Sequence, residues 1–202
     1  MSRKQVEWDR AVNVHWRIFR AGIDGLTPLL MNNPAKMRNS NKSSRKHIPS
    51  PEEEAGAGVY QNPDGVLCIR ADHVRESILA AARVAGLKIQ NKPAAPRLAA
   101  GLMMVEEWFP LTRNGEPITT YDRIDVRRVM VQRQGVLRAR PVVDVPWHAE
   151  VVFMFDAATA AARHIAEALE ISGQLVGILD YRPQKGGIFG RFTVGEVWEE
   201  EV

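Results

Sequence analysis

The sequence predicts an α+β fold on a ferredoxin-like plan, an antiparallel sheet with helices on one face. Three observations predict it. The stretch Arg10–Gly22 alternates with period two, setting Val12, Val14, Trp16 and Ile18 against Asn13, His15, Arg17 and Phe19. The segment "DHVRESILAAARVAGLKI" places Val74, Ile78, Leu79 and Ala82 on one helical face, with Asp72 as cap and Gly86 as stop. From Ile124 onward the chain reads strand, strand, helix, strand. Joined to the earlier strand and helix, this gives the order βαββαβ.

Taken in order, the first strand gives way to "GLTPLLMNN", where Pro28 restricts any further ladder to an edge or a break. Residues 32–58 are rich in Asn, Ser, Lys and Pro and read as a flexible basic loop. After the helix, residues 91–123 read as an insertion within one domain spanning 1–202; within it "LMMVEEWFPL" is a candidate strand. "IDVRRVMVQRQGVLRARPVV" is one long strand or two, broken at Gly135, and is followed by the apolar strand "WHAEVVFMFD". The alanine-rich stretch Ala157–Gly173 is helical, with Asp156 as N-cap and Gly173 as stop. "GIFGRFTVGEVW" returns as the last strand.

Composition narrows the functional classes. Of 202 residues 45% are hydrophobic, enough for a core. No apolar run reaches the roughly 18 to 20 residues that cross a bilayer. The charged start "MSRKQVEWDR" lacks a secretory segment, and one cysteine, Cys68, excludes disulfide frameworks and multi-cysteine zinc sites. A cytoplasmic protein is expected. Net charge is only +3, but it is segregated. Lys36, Arg38, Lys42, Arg45 and Lys46 stand without an acid among them. Seven arginines between Arg113 and Arg140 face only Glu116, Asp122 and Asp125, and the acids gather in "PEEE" and "EVWEEEV". Such segregation favours a polyanionic partner.

The arginines are the first candidates for contact. Arg138 and Arg140, two apart, share one face of a strand, with Leu137 and Ala139 turned to the core; Arg127 and Arg128 point to opposite faces. Guanidinium forks suit phosphate oxygens, and a sheet exposing arginines beside aromatic rings suits single-stranded nucleic acid. Salt bridges to the acidic segments are the competing reading. In "YRPQKGGIFGRFTV", Gly186, Gly187 and Gly190 can present amides to an anion, with Lys185 and Arg191 adding charge. An ordinary connection before the last strand is the alternative. The loop follows its helix, so neither a Walker A loop nor a dinucleotide fingerprint fits. The histidines form no zinc pattern, and no metal site or cofactor is expected. Asp24, placed in the loop after the first strand, and His148 are the two catalytic candidates. Cys68 reads as a buried small residue.

Three segments together, "GLTPLLMNN", "IDVRRVMVQRQGVLRARPVV" and "GQLVGILDYRPQKGGIFGRFTV", resemble a conserved family of phage and prophage proteins. That family shares a Thr/Ser-Pro-Leu-Leu-Met-His/Asn-Asn opening, an Asp-Val-Arg-Arg strand and a Gly-Asp-Trp-Arg-Pro…Gly-Arg-Phe ending; here Leu179 separates the Gly-Asp pair and Tyr181 replaces the tryptophan. The motifs name no activity. More distantly, the layout is similar to the RAMP superfamily, which supplies backbone subunits of CRISPR effector complexes. That resemblance implies an RRM-like fold, with residues 32–58 as a thumb-like insertion and Gly186–Gly190 as a glycine-rich loop. It also implies copies assembled along a single strand, gripping its phosphates.

The expectation is therefore a non-enzymatic, phage-type protein of a bacterial host's cytoplasm, binding single-stranded RNA or DNA as a homo-oligomer or filament. Arg17, the five cations of the basic loop, Arg127, Arg128, Arg138, Arg140, Lys185 and Arg191 would meet phosphates. A phage structural or assembly protein is the alternative, and a metal-dependent nuclease the third.

Overall fold

The computed structural model describes residues 15–34, 49–131 and 134–202. Strand β1 (Trp16–Gly25) buries Phe19, Ala21 and Ile23 and turns Ile18, Arg20 and Asp24 outward. Its core side is thus the one carrying Phe19, while Trp16 lies on the outer side. Pro28 ends the ladder as expected, and β2 (Leu29–Leu30) belongs to another sheet. The first described part of the chain after residue 48 is a helix, α1 (Pro51–Ala57), where a flexible loop was expected. A Ser50–Glu53 capping box and Pro51 in the first turn start it. Lys36, Arg38, Lys42, Arg45 and Lys46 lie outside the described residues.

Next come β3 (Cys68–Arg70) and α2 (Ala71–Val84), the first helix of the ferredoxin-like plan. Asp72 does not cap α2; it lies inside the first turn and clamps Arg70, which holds the cap position. Gly86 follows the helix end in a left-handed conformation. A tiny hairpin of β4 (Lys88–Ile89) and β5 (Lys92–Pro93) leads into residues 91–123, which continue with α3 (Ala94–Gly101) and β6 (Leu102–Met104). They continue through β7 (Trp108–Pro110), β8 (Thr112–Arg113) and β9 (Glu116–Pro117). Leu98, Leu102, Phe109, Leu111 and Ile118 from this stretch all enter the main core.

The arginine-rich segment is two antiparallel strands, β10 (Arg123–Val131) and β11 (Gln134–Val143). The chain then enters β12 (His148–Asp156), α4 (Ala162–Ile171) and β13 (Phe192–Glu201). Asp156 caps a turn at Ala158 rather than α4, whose N-cap is Ala161. Gly173 does not stop the helix either. It lies inside a π-helical turn, Ser172–Val176, and Gly177 ends the run.

The principal sheet has the order β13–β1–β12, with β6 beside β12. Numbered within the ferredoxin-like plan this is 4-1-3-2, all antiparallel, with α2 and α4 on one face. The plan is confirmed, but its second strand is the three-residue β6, not the arginine strand. β10 and β11 instead form a separate three-stranded sheet with β2, through Val142–Leu30 and Val143–Leu29. The reason is chemical. One face of that hairpin sets Asp125 opposite Arg140 and Arg127 opposite Arg138, so it offers no continuous apolar surface to a sheet interior. Among the described residues no helix is long and apolar enough to cross a membrane.

Candidate nucleic-acid interface

The glycine-rich segment is built by close chain approaches. A Cβ on Gly187 would lie 1.7 Å from the Tyr181 carbonyl oxygen, and one on Gly190 2.1 Å from that of Ile178, so neither position admits a side chain. The loop amides are committed internally. Gly186 donates to Pro183, Gly187 to Arg182, Phe189 to Tyr181 and Gly190 to Pro28, and Arg191 N–H donates to Thr27 Oγ1. These amides serve the loop's own shape instead of facing outward as an anion cradle. Lys185 is exposed at the tip and makes no ion pair among the described residues, whereas the Arg191 guanidinium is held by the Gln174 carbonyl.

The arginine hairpin docks onto this loop. Arg127 forks onto Asp125 and lies over the rings of Tyr181 and Phe189, at 4.7 and 5.4 Å from their centroids. Arg140 is only 5% exposed and pairs with Asp180. Arg138 reaches Glu54 of α1 at 2.8 Å, and the same carboxylate accepts from the Ala139 N–H on the open edge of β11. Leu30, Val142 and Phe189 complete a small second core. Arginine–aromatic neighbours therefore exist, as the sequence suggested, but as an internal stack. Arg138 and Arg140 do lie on one face, and Ala139 is buried. Leu137 is not turned to a core: it is 68% exposed, beside Val126 at 52% and Met130 at 70%. Arg128, on that same side, lies across Gly135, is exposed and has no carboxylate partner among the described residues.

The open face of the principal sheet is acidic. Arg20 is held there between Glu150 and Glu200, at 3.0 and 3.1 Å; Arg17, on the Phe19 side of β1 and so on the other face, is taken by Glu199 and Glu201. Asp24 is the penultimate residue of β1, not a loop residue. The β1–β12 register places it opposite His148, whose Nδ1 lies 2.8 Å from Asp24 Oδ1. Two catalytic candidates chosen separately are thus a hydrogen-bonded pair. Among the described residues no group of three or more His, Cys, Asp or Glu is arranged to hold a metal ion.

A polar cleft of about 170 Å³ next to the glycine-rich loop had no sequence signal. It is lined by Asn32, Tyr60, His73, Asp180 and Arg182, among others. Tyr60 donates to the Asn32 carbonyl at 2.9 Å and meets the His73 ring edge-on. Burial pushes the Tyr60 hydroxyl up to about 12 and holds His73 below its ordinary value. Burial likewise lifts the Cys68 thiol to about 11, in keeping with a packed small residue.

No family model matches this chain, and no curated protein matches it in sequence. Among solved structures, the chain superposes on a chain of the cryo-EM structure of the type III-B Cmr-beta bound to cognate target RNA. The TM-score is 0.54 at 10% identity, over 93% of this chain and 61% of that one. The chain thus spans about three fifths of the length of the chain it matches. At this identity the likeness is one of fold.

Proposed function

We propose that this chain binds single-stranded nucleic acid, RNA first, as a non-enzymatic phage-type protein of the bacterial cytoplasm that multimerises along the strand. The observation that carries the reading is the fold it shares with a chain of an RNA-bound assembly. Electrostatics narrows where contact occurs. The open sheet face sets Asp24, Glu150 and Glu200 against Arg20 and repels phosphates, so binding falls to the glycine-rich loop and the hairpin. Among the described residues there, Arg128, Lys185, Arg182 and Arg191 carry no carboxylate; Arg182 is held by Gln184 and the Leu179 carbonyl and Arg191 by the Gln174 carbonyl, which leaves Lys185 and Arg128 as the cations to meet phosphate. Arg127, Arg138 and Arg140 act by fixing the loop and hairpin in place, and the cations of the basic loop add to the phosphate contacts.

The test is fluorescence anisotropy of labelled single-stranded RNA and DNA across a salt series. The expected outcome is an affinity that falls steeply with salt. Lys185→Gln lowers the salt slope by about one and Arg191→Gln changes it less, since Arg191 is already engaged. Absence of binding at low salt overturns the proposal.

The Asp24–His148 pair favours a second reading, metal-assisted strand cleavage. It requires loss of labelled strand with a divalent metal present, abolished in Asp24→Asn. The exposed Val126, Met130 and Leu137 favour a phage structural or assembly role. That reading requires self-association without nucleic acid, weakened by Leu137→Glu.

A further inference from the structure

Helices α2 and α3 leave a groove of about 610 Å³ between them, and no residue of the arginine hairpin or the glycine-rich loop lines it. It arises from the sequence. Both helices meet through alanines ("LAAARVA" and "AAPRLAA"), side chains too short to fill the space between two helical backbones. Leu79, Ala82 and Leu87 form one wall, and Pro93, Pro96 and Ala99 the other. The β4–β5 hairpin closes one end, turned back by Gln90 and Asn91, both at positive φ.

The charge around the groove has one sign. From Ser77 to Val105 the chain contains no Asp or Glu, while Arg83, Lys88, Lys92 and Arg97 stand within it. Arg83 and Lys88 themselves line the groove, both exposed and neither in an ion pair among the described residues. Among the described residues no aromatic ring lines it to stack a base. An aliphatic slot rimmed by exposed cations suits a different partner.

We propose that this groove docks an amphipathic segment of another protein, its aliphatic side chains seated between α2 and α3 and its flanking carboxylates meeting Arg83 and Lys88. Apolar anchors supply the affinity, and the cations select the partner and set its orientation. This site is separate from the nucleic-acid surface proposed above and does not depend on it.

The test uses two fluorescein-labelled synthetic helical peptides with the same leucine stripe, one flanked by glutamates and one by lysines, against the full chain. The glutamate peptide is expected to bind roughly tenfold tighter, and that preference to vanish in Arg83→Glu/Lys88→Glu. Ala99→Leu, which fills the groove without changing charge, is expected to weaken the glutamate peptide by a comparable factor. Equal affinity for the two peptides, no affinity for either, or indifference to these substitutions overturns the proposal. Displacement by dodecanoate at equal strength in wild type and charge variant assigns the groove to a small apolar ligand instead. Self-association lost in the charge variant assigns it to a second copy. Loss of single-stranded RNA binding in that variant, with peptide binding intact, assigns the cations to the nucleic acid. Each of these three results also overturns the proposal, whereas unchanged RNA binding separates its fate from that of the nucleic-acid reading.

Discussion

The principal sheet and the arginine hairpin are both antiparallel and both strand-rich in sequence, yet different forces hold them. In the principal sheet Phe19, Ala21 and Ile23 of β1 pack with Val151, Phe153 and Phe155 of β12 beneath α2 and α4. The hairpin shares a small core of Leu30, Val142 and Phe189, sends Val143 into the main one, and is fastened by the Arg127 stack on Tyr181 and Phe189 and by the ion pairs Arg138–Glu54 and Arg140–Asp180. Burial of apolar surface is non-directional and collective. Ion pairs and ring stacking are local, and they specify one docking geometry. The difference teaches that an arginine-rich strand is not by itself a binding face: three of its guanidinium groups are used to attach it.

Substitutions can break this comparison. Phe153→Ala empties the centre of the principal core and is expected to cost about 3–5 kcal/mol of global stability, read as a lower urea midpoint. Asp180→Asn strips the carboxylate from the buried Arg140, whose Nε and Nη2 find no partner among the described residues, and is expected to cost about 3 kcal/mol. If the hairpin were only a surface appendage, Asp180→Asn would leave the midpoint unchanged. Arg127→Ala removes the stack on Tyr181 and Phe189 and is expected to cost about 1 kcal/mol. Its signature is faster hydrogen exchange at the Phe189 and Gly190 amides, with β1 amides unaffected.

The smallest effect concerns acid. Burial holds His73 below its ordinary value of 6.5, so the unfolded chain takes up that proton first as pH falls. The stability associated with neutral His73 is complete above 6.5 and declines as pH drops through that value. His73→Gln is expected to shrink the difference between urea midpoints at neutral and mildly acidic pH. It leaves the part owed to His164, which burial shifts the same way.

Particular residues show what sequence could and could not carry. The strands Trp16–Gly25 and His148–Asp156 and the helix at Ala71–Val84 were visible because each is long enough for its periodicity to repeat. Leu102–Met104, the true second strand, has three residues and no period to read. The arginines were found, and Arg127 has Asp125 two residues away, but the partners of Arg138, Arg140 and Arg17 are distant in the chain. Glu54 is 84 residues from Arg138, Asp180 is 40 from Arg140 and Glu199 is 182 from Arg17. Asp24 and His148, 124 residues apart, were both picked out, and only the β1–β12 register reveals them as a pair. The glycines were read as permitting a turn, and they do. Which way the amides point depends on Pro28 and Thr27, far off in sequence.

The bond from the Ala139 N–H to Glu54 has a consequence for how this molecule avoids its own kind. An outer strand with a bare amide row is a template on which a foreign strand can grow, and β11 is such a strand for part of its length. The carboxylate from α1 occupies that row where the ladder to β2 has not yet begun, and with Arg138 it leaves a charged stopper at the growth point. A short helix at the edge of a sheet thus acts as a guard against runaway polymerisation.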